Sequence, residues 1–393
     1  MIKNRNICAI SSTRADYGLL LSTLTEINNS SDFTLQLIVT GTHLSKAFGE
    51  TVTDIKVDGF KPAAEFSIIS KDDSATGIAN NMAKAIETFS VELQTLKPDL
   101  LLILGDRYEI LASVIAASFL KIPVAHLFGG DLTIGALDDD YRHAITKMAH
   151  LHFVTNEISR DRVIQLGENP KHVFNVGSPG LDLIRQTSLL DQQTLAQDLN
   201  IKFRKHNLLI TFHPVTKETN SVSQLQKLFE ALDQLGKDTF LIFTAANADA
   251  QGQEINKHIE EFVHSREQAV FFKSLGHIRY FSMISHVDAV VGNSSSGIYE
   301  VPSFKKPTIN IGRRQEGRLQ ATSIINCVAE SGAILNAIRR AQTMDCSGSI
   351  NPYGDGYAAQ RIINALRTIK DYSSLIEKMF YDNRATSETK LNT

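Results

Sequence analysis

The strongest constraint on what this chain can fold into is an alternation that occurs twice. Short, mainly apolar runs cover 7–10, 35–40, 100–104, 124–128, 151–154 and 173–176. Amphipathic stretches such as 77–96 and 107–120 lie between them. Continuous apolar strands separated by helices belong to a parallel sheet covered on both faces. Lys97-Pro98-Asp99 and Lys121-Ile122-Pro123 punctuate turns from helix to strand. The pattern pauses near Gly177-Ser178-Pro179-Gly180, and a polar helical stretch follows over 181–203. It then restarts with 208–212, 240–244, 270–272, 289–291 and 308–311. The prediction is an α/β chain of two Rossmann-like domains, 1–180 and 181–368, with a cleft between them. A tail over 369–393 should open with a helix at 372–381 and end polar and frayed.

Composition narrows the class. Of 393 residues, 42% are hydrophobic and 21% charged, enough for two cores and too apolar for disorder. A net charge of −3 supplies no field toward nucleic acid or anionic lipid. Local basic side chains must therefore meet any phosphate ligand. Cys8, Cys327 and Cys346 form no close pair and no metal spacing, which suits free thiols in a reducing compartment. The first apolar run is too short for a signal sequence, and no run reaches membrane-span length. The expectation is a cytoplasmic protein.

In an open parallel sheet, ligands lie beyond the carboxyl ends of the strands, so the polar residues just after each strand carry the functional signal. The first run leads into Ser11-Ser12-Thr13-Arg14-Ala15-Asp16-Tyr17-Gly18, where a helix begins. Its free N–H groups and Arg14 suit an anion; Ser12, Thr13 and Asp16 equally suit a helix cap. A glycine-rich dinucleotide fingerprint is missing. The second run ends in Thr40-Gly41-Thr42-His43-Leu44, which puts His43 at the cleft rim. The next ends in Gly105-Asp106-Arg107. Asp106 and Arg107 either pair with each other or face a ligand, and their place at a strand end favours the ligand.

The densest segment is His126-Leu127-Phe128-Gly129-Gly130-Asp131, followed by Asp138-Asp139-Asp140-Tyr141-Arg142-His143. Paired glycines allow close approach of backbone to ligand. Carboxylates gathered in one place repel, which raises at least one pKa and yields both a general base and a general acid. One or two of Asp138 to Asp140 should also serve the N-terminus of a helix over 141–149. The ligand types fit no recognised metal spacing. In the second half, His213-Pro214-Val215-Thr216 closes one strand and Gly292-Asn293-Ser294-Ser295-Ser296-Gly297 another. Small residues and hydroxyls at such a turn make a diphosphate cradle or a plain serine cap. Glu300 can reach ribose hydroxyls, and Gly312-Arg313-Arg314-Gln315 forms a basic tip.

Taken in order, these pieces resemble the hydrolysing UDP-N-acetylglucosamine 2-epimerase family. The resemblance also includes Ala144-Ile145-Thr146-Lys147 and Tyr353-Gly354-Asp355-Gly356, and it spans nearly the whole chain. It implies a GT-B-like fold and a two-stage reaction. UDP leaves as the C2 proton is lost, giving a 2-acetamidoglycal; water then adds and releases the 2-epimerised sugar. It implies Asp106, Asp131 and Asp139 as catalytic carboxylates, with His43 and His126 as further catalytic candidates. Arg107, Arg142 and His143 are expected among the substrate-binding residues. His213, Ser294, Ser295, Glu300 and Arg314 are expected on UDP, with Arg14 and Asn247 near the phosphates and Leu275 near the uracil. Many members carry Glu where this chain has the shorter Asp131. UDP-N-acetylglucosamine and UDP-N,N′-diacetylbacillosamine are both open as substrates.

A non-hydrolysing 2-epimerase, a GT-B glycosyltransferase and a nucleotide-sugar-binding regulator are the competing readings. Release of free UDP, release of sugar without an acceptor, and turnover itself separate them. The expected partner is a UDP-sugar, with no cofactor, metal, nucleic acid or membrane; assembly into a homo-oligomer is open.

Overall fold

The computed structural model describes residues 4–46, 49–70, 72, 74–133, 137–214, 220–246 and 250–382. The chain forms two compact units. One runs through Leu183 and takes up the chain again from Tyr353; the other is Ile184–Pro352. Among the described residues, no helix is long and apolar enough to cross a membrane.

The first unit is built on β1 (Arg5–Ser11), β2 (Phe33–Val39), β3 (Ala64–Glu65), β4 (Leu100–Leu104), β5 (Val124–Leu127), β6 (Leu151–Val154) and β7 (Val173–Asn175). Their order is β3-β2-β1-β4-β5-β6-β7, with every pairing parallel. The apolar runs now have a cause. Leu100, Leu102 and Leu104 enter one core, while Leu101 and Ile103 enter the core on the opposite face. Side chains alternate across a strand, so a sheet covered on both faces needs apolar residues at every position.

The second unit repeats the plan with β8 (His206–Thr211), β9 (Thr239–Thr244), β10 (Ala269–Phe272), β11 (Ala289–Gly292), β12 (Thr308–Ile311) and β13 (Ile324–Cys327). Its order is β10-β9-β8-β11-β12-β13, again parallel. Two Rossmann-like α/β units are thus present, as the alternation predicts. In each sheet the order reverses direction once, between β1 and β4 and between β8 and β11. These switch points open crevices at the carboxyl ends of the strands.

Three expectations need correction. Residues 353–368 do not belong to the second domain. Helix Ala358–Thr368 sinks Ile362, Ile363 and Leu366 into the first unit's core. The Asp182 carboxylate accepts the N–H groups of Ala358 and Ala359 at 2.9 and 2.7 Å, which satisfies the first turn of that helix. Periodicity places a helix but does not say which sheet it returns to. The helix expected over 372–381 is a single 3₁₀ turn, Ser373–Ile376. Beyond it Lys378 Nζ donates to the carbonyls of Lys147 and Ala149 and to Glu168, so the segment is tied down by side-chain bonds. The polar stretch over 181–203 is two helices, Gly180–Gln186 and Gln192–Leu199, the second capped by Asp191.

Candidate active site

In the first unit, strand ends bring acidic residues around one arginine. Gly105, at φ 92°, turns the chain as it leaves β4 and presents Asp106. Arg142 comes from helix Leu137–Met148, its side chain 7% exposed. Its Nη2 donates to Asp106 Oδ2 and, at 3.0 Å, to Thr133 Oγ1. Its Nη1 donates to Asp139 Oδ1 at 3.1 Å and to the Asp131 carbonyl at 2.8 Å. One guanidinium therefore gathers Asp106, Asp139 and the loop after β5. The planar fork allows this where a point charge would not. Asp139 also accepts the Thr133 N–H at 2.6 Å and faces His143 Nε2 at 3.5 Å. Burial, and next the charge of Asp106, push the Asp138 carboxyl up.

Asp131 is held differently. Its carboxylate accepts the hydroxyls of Ser159 at 2.5 Å and Thr155 at 3.0 Å. Thr155 follows β6 directly, so the strand-end rule that singled out Asp106 applied to it as well. Arg107 donates from Nε to Glu109 Oε1 at 2.7 Å. It does not pair with Asp106, and its side chain stays 46% exposed. Arg14 is exposed at the first position of helix Arg14–Asn28, where Thr13 and Asp16 form a capping box. The capping reading of that segment is thus present, with Thr13 as the cap.

His43 is not at the rim expected for it, and His126 lies inside β5. Both are fully buried. His43 sits with its ring nitrogens 2.9 Å from Ser11 Oγ and 2.7 Å from Thr51 Oγ1. Burial pulls His126 down to a pKa of about 3, so its ring is neutral. The Gly105 carbonyl, 2.9 Å from Nε2, can only accept, so Nε2 carries the proton. Nδ1 then accepts from the Thr146 hydroxyl at 3.2 Å. His126 thus braces the turn that carries Asp106, and His43 braces the loop after β1. A polar residue just past a strand looks the same in sequence whether it meets a ligand or a neighbouring loop.

In the second unit, Asn293 bridges the switch point. Its Oδ1 accepts the His213 N–H at 2.7 Å and its Nδ2 donates to the His213 carbonyl at 2.8 Å. Gly292, at φ 137°, lies so close to the Thr211 carbonyl that a side chain would collide with it. Ser294 and Ser295 follow, half-buried. The Ser296 N–H points at Ser294 Oγ at 3.4 Å. Arg314 donates to the Asn293 carbonyl at 3.1 Å, which draws the basic tip to the serine turn. Leu275 is buried just ahead of helix Gly276–His286. Burial pushes the Glu300 carboxyl up while a hydrogen bond from Ser296 opposes the shift. Asn247, Val215 and Thr216 lie outside the described residues.

Residues 25–367 match the family model described as UDP-N-acetylglucosamine 2-epimerase. The chain is 42% identical over 327 residues to the GDP/UDP-N,N′-diacetylbacillosamine 2-epimerase (hydrolyzing) of Campylobacter jejuni, covering 83% of this chain and 85% of that protein. It is 35% identical to the UDP-N,N′-diacetylbacillosamine 2-epimerase (hydrolyzing) of Legionella pneumophila, covering 95% and 98%. Its fold matches that of the Neisseria meningitidis UDP-GlcNAc 2-epimerase bound to UDP-GlcNAc, with a TM-score of 0.72 at 17% identity over 93% of this chain and all of the other. This chain belongs to the UDP-N-acetylglucosamine 2-epimerase family.

Proposed function

We propose that this chain takes UDP-N,N′-diacetylbacillosamine, with Asp106, Asp131 and Asp139 handling protons on the sugar and the serine turn with Glu300 holding UDP. The chain is an enzyme of the hydrolysing UDP-sugar 2-epimerase type. What is inferred here is the sugar and the division of labour. The single observation behind the division is the gathering of Asp106 and Asp139 on the two amino groups of Arg142.

Epimerisation at C2 by elimination and addition needs two proton carriers. One carboxylate removes the C2 proton; the C1–O bond breaks, and its electron pair leaves on the UDP oxygen. Water then adds its hydroxyl to C1 while a proton returns to the other face of C2. Carboxylates fixed at several points around one buried arginine suit both transfers. Asp138, pushed up by burial and by Asp106, is disposed to carry a proton. The diacetylated sugar is favoured because the Campylobacter and Legionella relatives both carry that substrate in their names. The product would be 2,4-diacetamido-2,4,6-trideoxymannose, which a legionaminic acid pathway consumes.

The test is to offer UDP-N,N′-diacetylbacillosamine and UDP-N-acetylglucosamine separately in heavy-oxygen, deuterated water. The expected products are free UDP and a sugar that carries heavy oxygen at C1 and deuterium at C2, formed faster from the diacetylated substrate. Heavy oxygen in UDP would mean phosphoryl hydrolysis. A returned UDP-sugar without free UDP would mean the non-hydrolysing reaction.

A further inference from the structure

The serine turn rests on hydroxyls to which the reading above gives no task. Tyr280 lies on helix Gly276–His286, and its phenol is 2.8 Å from Ser296 Oγ. The Ser296 hydroxyl is also the group that draws the Glu300 carboxyl down against its burial. Chemistry sets the direction. The phenol donates, so Ser296 accepts from Tyr280 and its own hydroxyl hydrogen is left for another acceptor. The Glu300 N–H donates to the Ser296 carbonyl at 2.9 Å, so the two residues sit one helical turn apart on the same side. Beside Tyr280 stands Thr211, at the end of β8, with its Oγ1 2.5 Å from Thr244 Oγ1. Burial, then the charge of Glu300, push the Tyr280 phenol up and keep it a donor.

We propose that Tyr280 and Ser296 are positioning residues that set the demand for ribose: Tyr280 turns the Ser296 hydroxyl hydrogen onto Glu300 and so fixes that carboxylate as the paired acceptor for the 2′ and 3′ hydroxyls. The proposal rests on the nucleotide lying in the second unit. It adds a mechanism that the turn sequence does not disclose, because Tyr280 comes from a different helix. A carboxylate that is buried and otherwise loosely held would spend binding energy on being ordered; one locked beforehand spends less.

The test is calorimetric titration of the full chain with UDP and with 2′,3′-dideoxy-UDP. The proteins are the wild type, Tyr280→Phe, Ser296→Ala, Ser296→Thr and Glu300→Gln. The wild type should prefer UDP by about tenfold or more, the range expected for hydrogen bonds to a charged acceptor. Tyr280→Phe and Ser296→Ala should shrink that ratio toward one, and Ser296→Thr, which keeps the hydroxyl, should restore most of it. In steady state, KM for the UDP-sugar should rise more than kcat falls in Tyr280→Phe. Equal loss of affinity for both nucleotides would mark Tyr280 and Ser296 as general supports of the fold and overturn the proposal, as would an unchanged ratio. If the wild type makes no distinction and Glu300→Gln binds UDP normally, Glu300 does not meet the ribose. The nucleotide reading then fails first, and the proposal with it.

Discussion

Arg142 donates through Nη2 to Oδ2 of Asp106, joining the helix after β5 to the carboxyl end of β4. The same side chain reaches Asp139, Thr133 and the Asp131 carbonyl. Two charged groups and a loop thus depend on one planar cation.

Replacing that cation by lysine keeps the charge and loses the fork. Arg142→Lys should lower kcat by roughly tenfold to a hundredfold, because one ammonium cannot hold Asp106 and Asp139 in place together. Arg142→Met goes further: Asp138, already pushed up by burial, loses the Arg142 charge that opposes that rise, so the acid limb of the pH–rate profile should move to higher pH. Asp106→Asn should cost roughly a hundredfold or more in turnover if it carries a proton. Rate profiles from pH 5 to 9 for the three variants check this. A lysine variant with full activity would show that the fork is dispensable.

His126 gives a stability prediction with a definite sign. Its folded pKa is about 3, below the ordinary value of 6.5. Between these values the unfolded chain takes up a proton that the folded chain refuses. The contribution is therefore complete above pH 6.5 and is lost as pH falls toward 3, at about 1.4 kcal/mol per pH unit. His150, pulled down to about 4 mainly by burial, acts in the same direction. His126→Gln keeps an N–H near the Gly105 carbonyl and removes the titration. Its stability should fall less steeply between pH 7 and 5 than that of the wild type, measured by urea unfolding at each pH. Parallel slopes would mean that His126 is protonated in the folded protein.

Much of this was readable in advance, and the reasons are physical. The strands at 100–104, 151–154 and 308–311 begin and end where the apolar runs do, because both faces of each sheet are covered. The two-residue β3 at a sheet edge has no such run, and β13, at the other sheet's edge, alternates with Asn326 and escaped notice. The strand-end rule singled out Asp106, which lies just past β4 beside Arg142, and Asp131, which lies on the loop after β5. It put His43 at the rim, whereas the structure buries that ring against Ser11 and Thr51, the latter from elsewhere in the chain. Tyr280 carried no sequence signal, because nothing in an amphipathic helix marks which residue touches a neighbouring turn.

The return of the chain to the first unit hangs on Asp182, which is 1% exposed. Its carboxylate takes two N–H groups that open helix Ala358–Thr368. Asp182→Ala leaves those donors buried and unpaired, at a cost of about 2 kcal/mol or more. Urea unfolding should show this loss, and amide exchange should rise first over 358–368. Exchange that rises first in the second unit would contradict the assignment of this helix.

The last prediction separates binding from chemistry. If UDP is held by the serine turn, Ser294→Ala and Glu300→Gln each remove a hydrogen-bonding group from the nucleotide. Hydrogen bonds to charged groups are worth on the order of 1.5–3 kcal/mol, so UDP affinity should fall roughly tenfold or more in each. Asp106→Asn and Asp131→Asn lie in the other unit and are proposed to meet the sugar, which free UDP lacks. Their affinity for UDP should stay near that of the wild type while turnover collapses. Asp131 also has a structural debt, since Ser159 and Thr155 donate to it, so the amide variant must show wild-type unfolding before its activity is interpreted. Calorimetric titration of UDP into all four variants gives the contrast directly. Loss of UDP from the Asp variants, with the Ser294 and Glu300 variants unaffected, would place the nucleotide in the wrong unit.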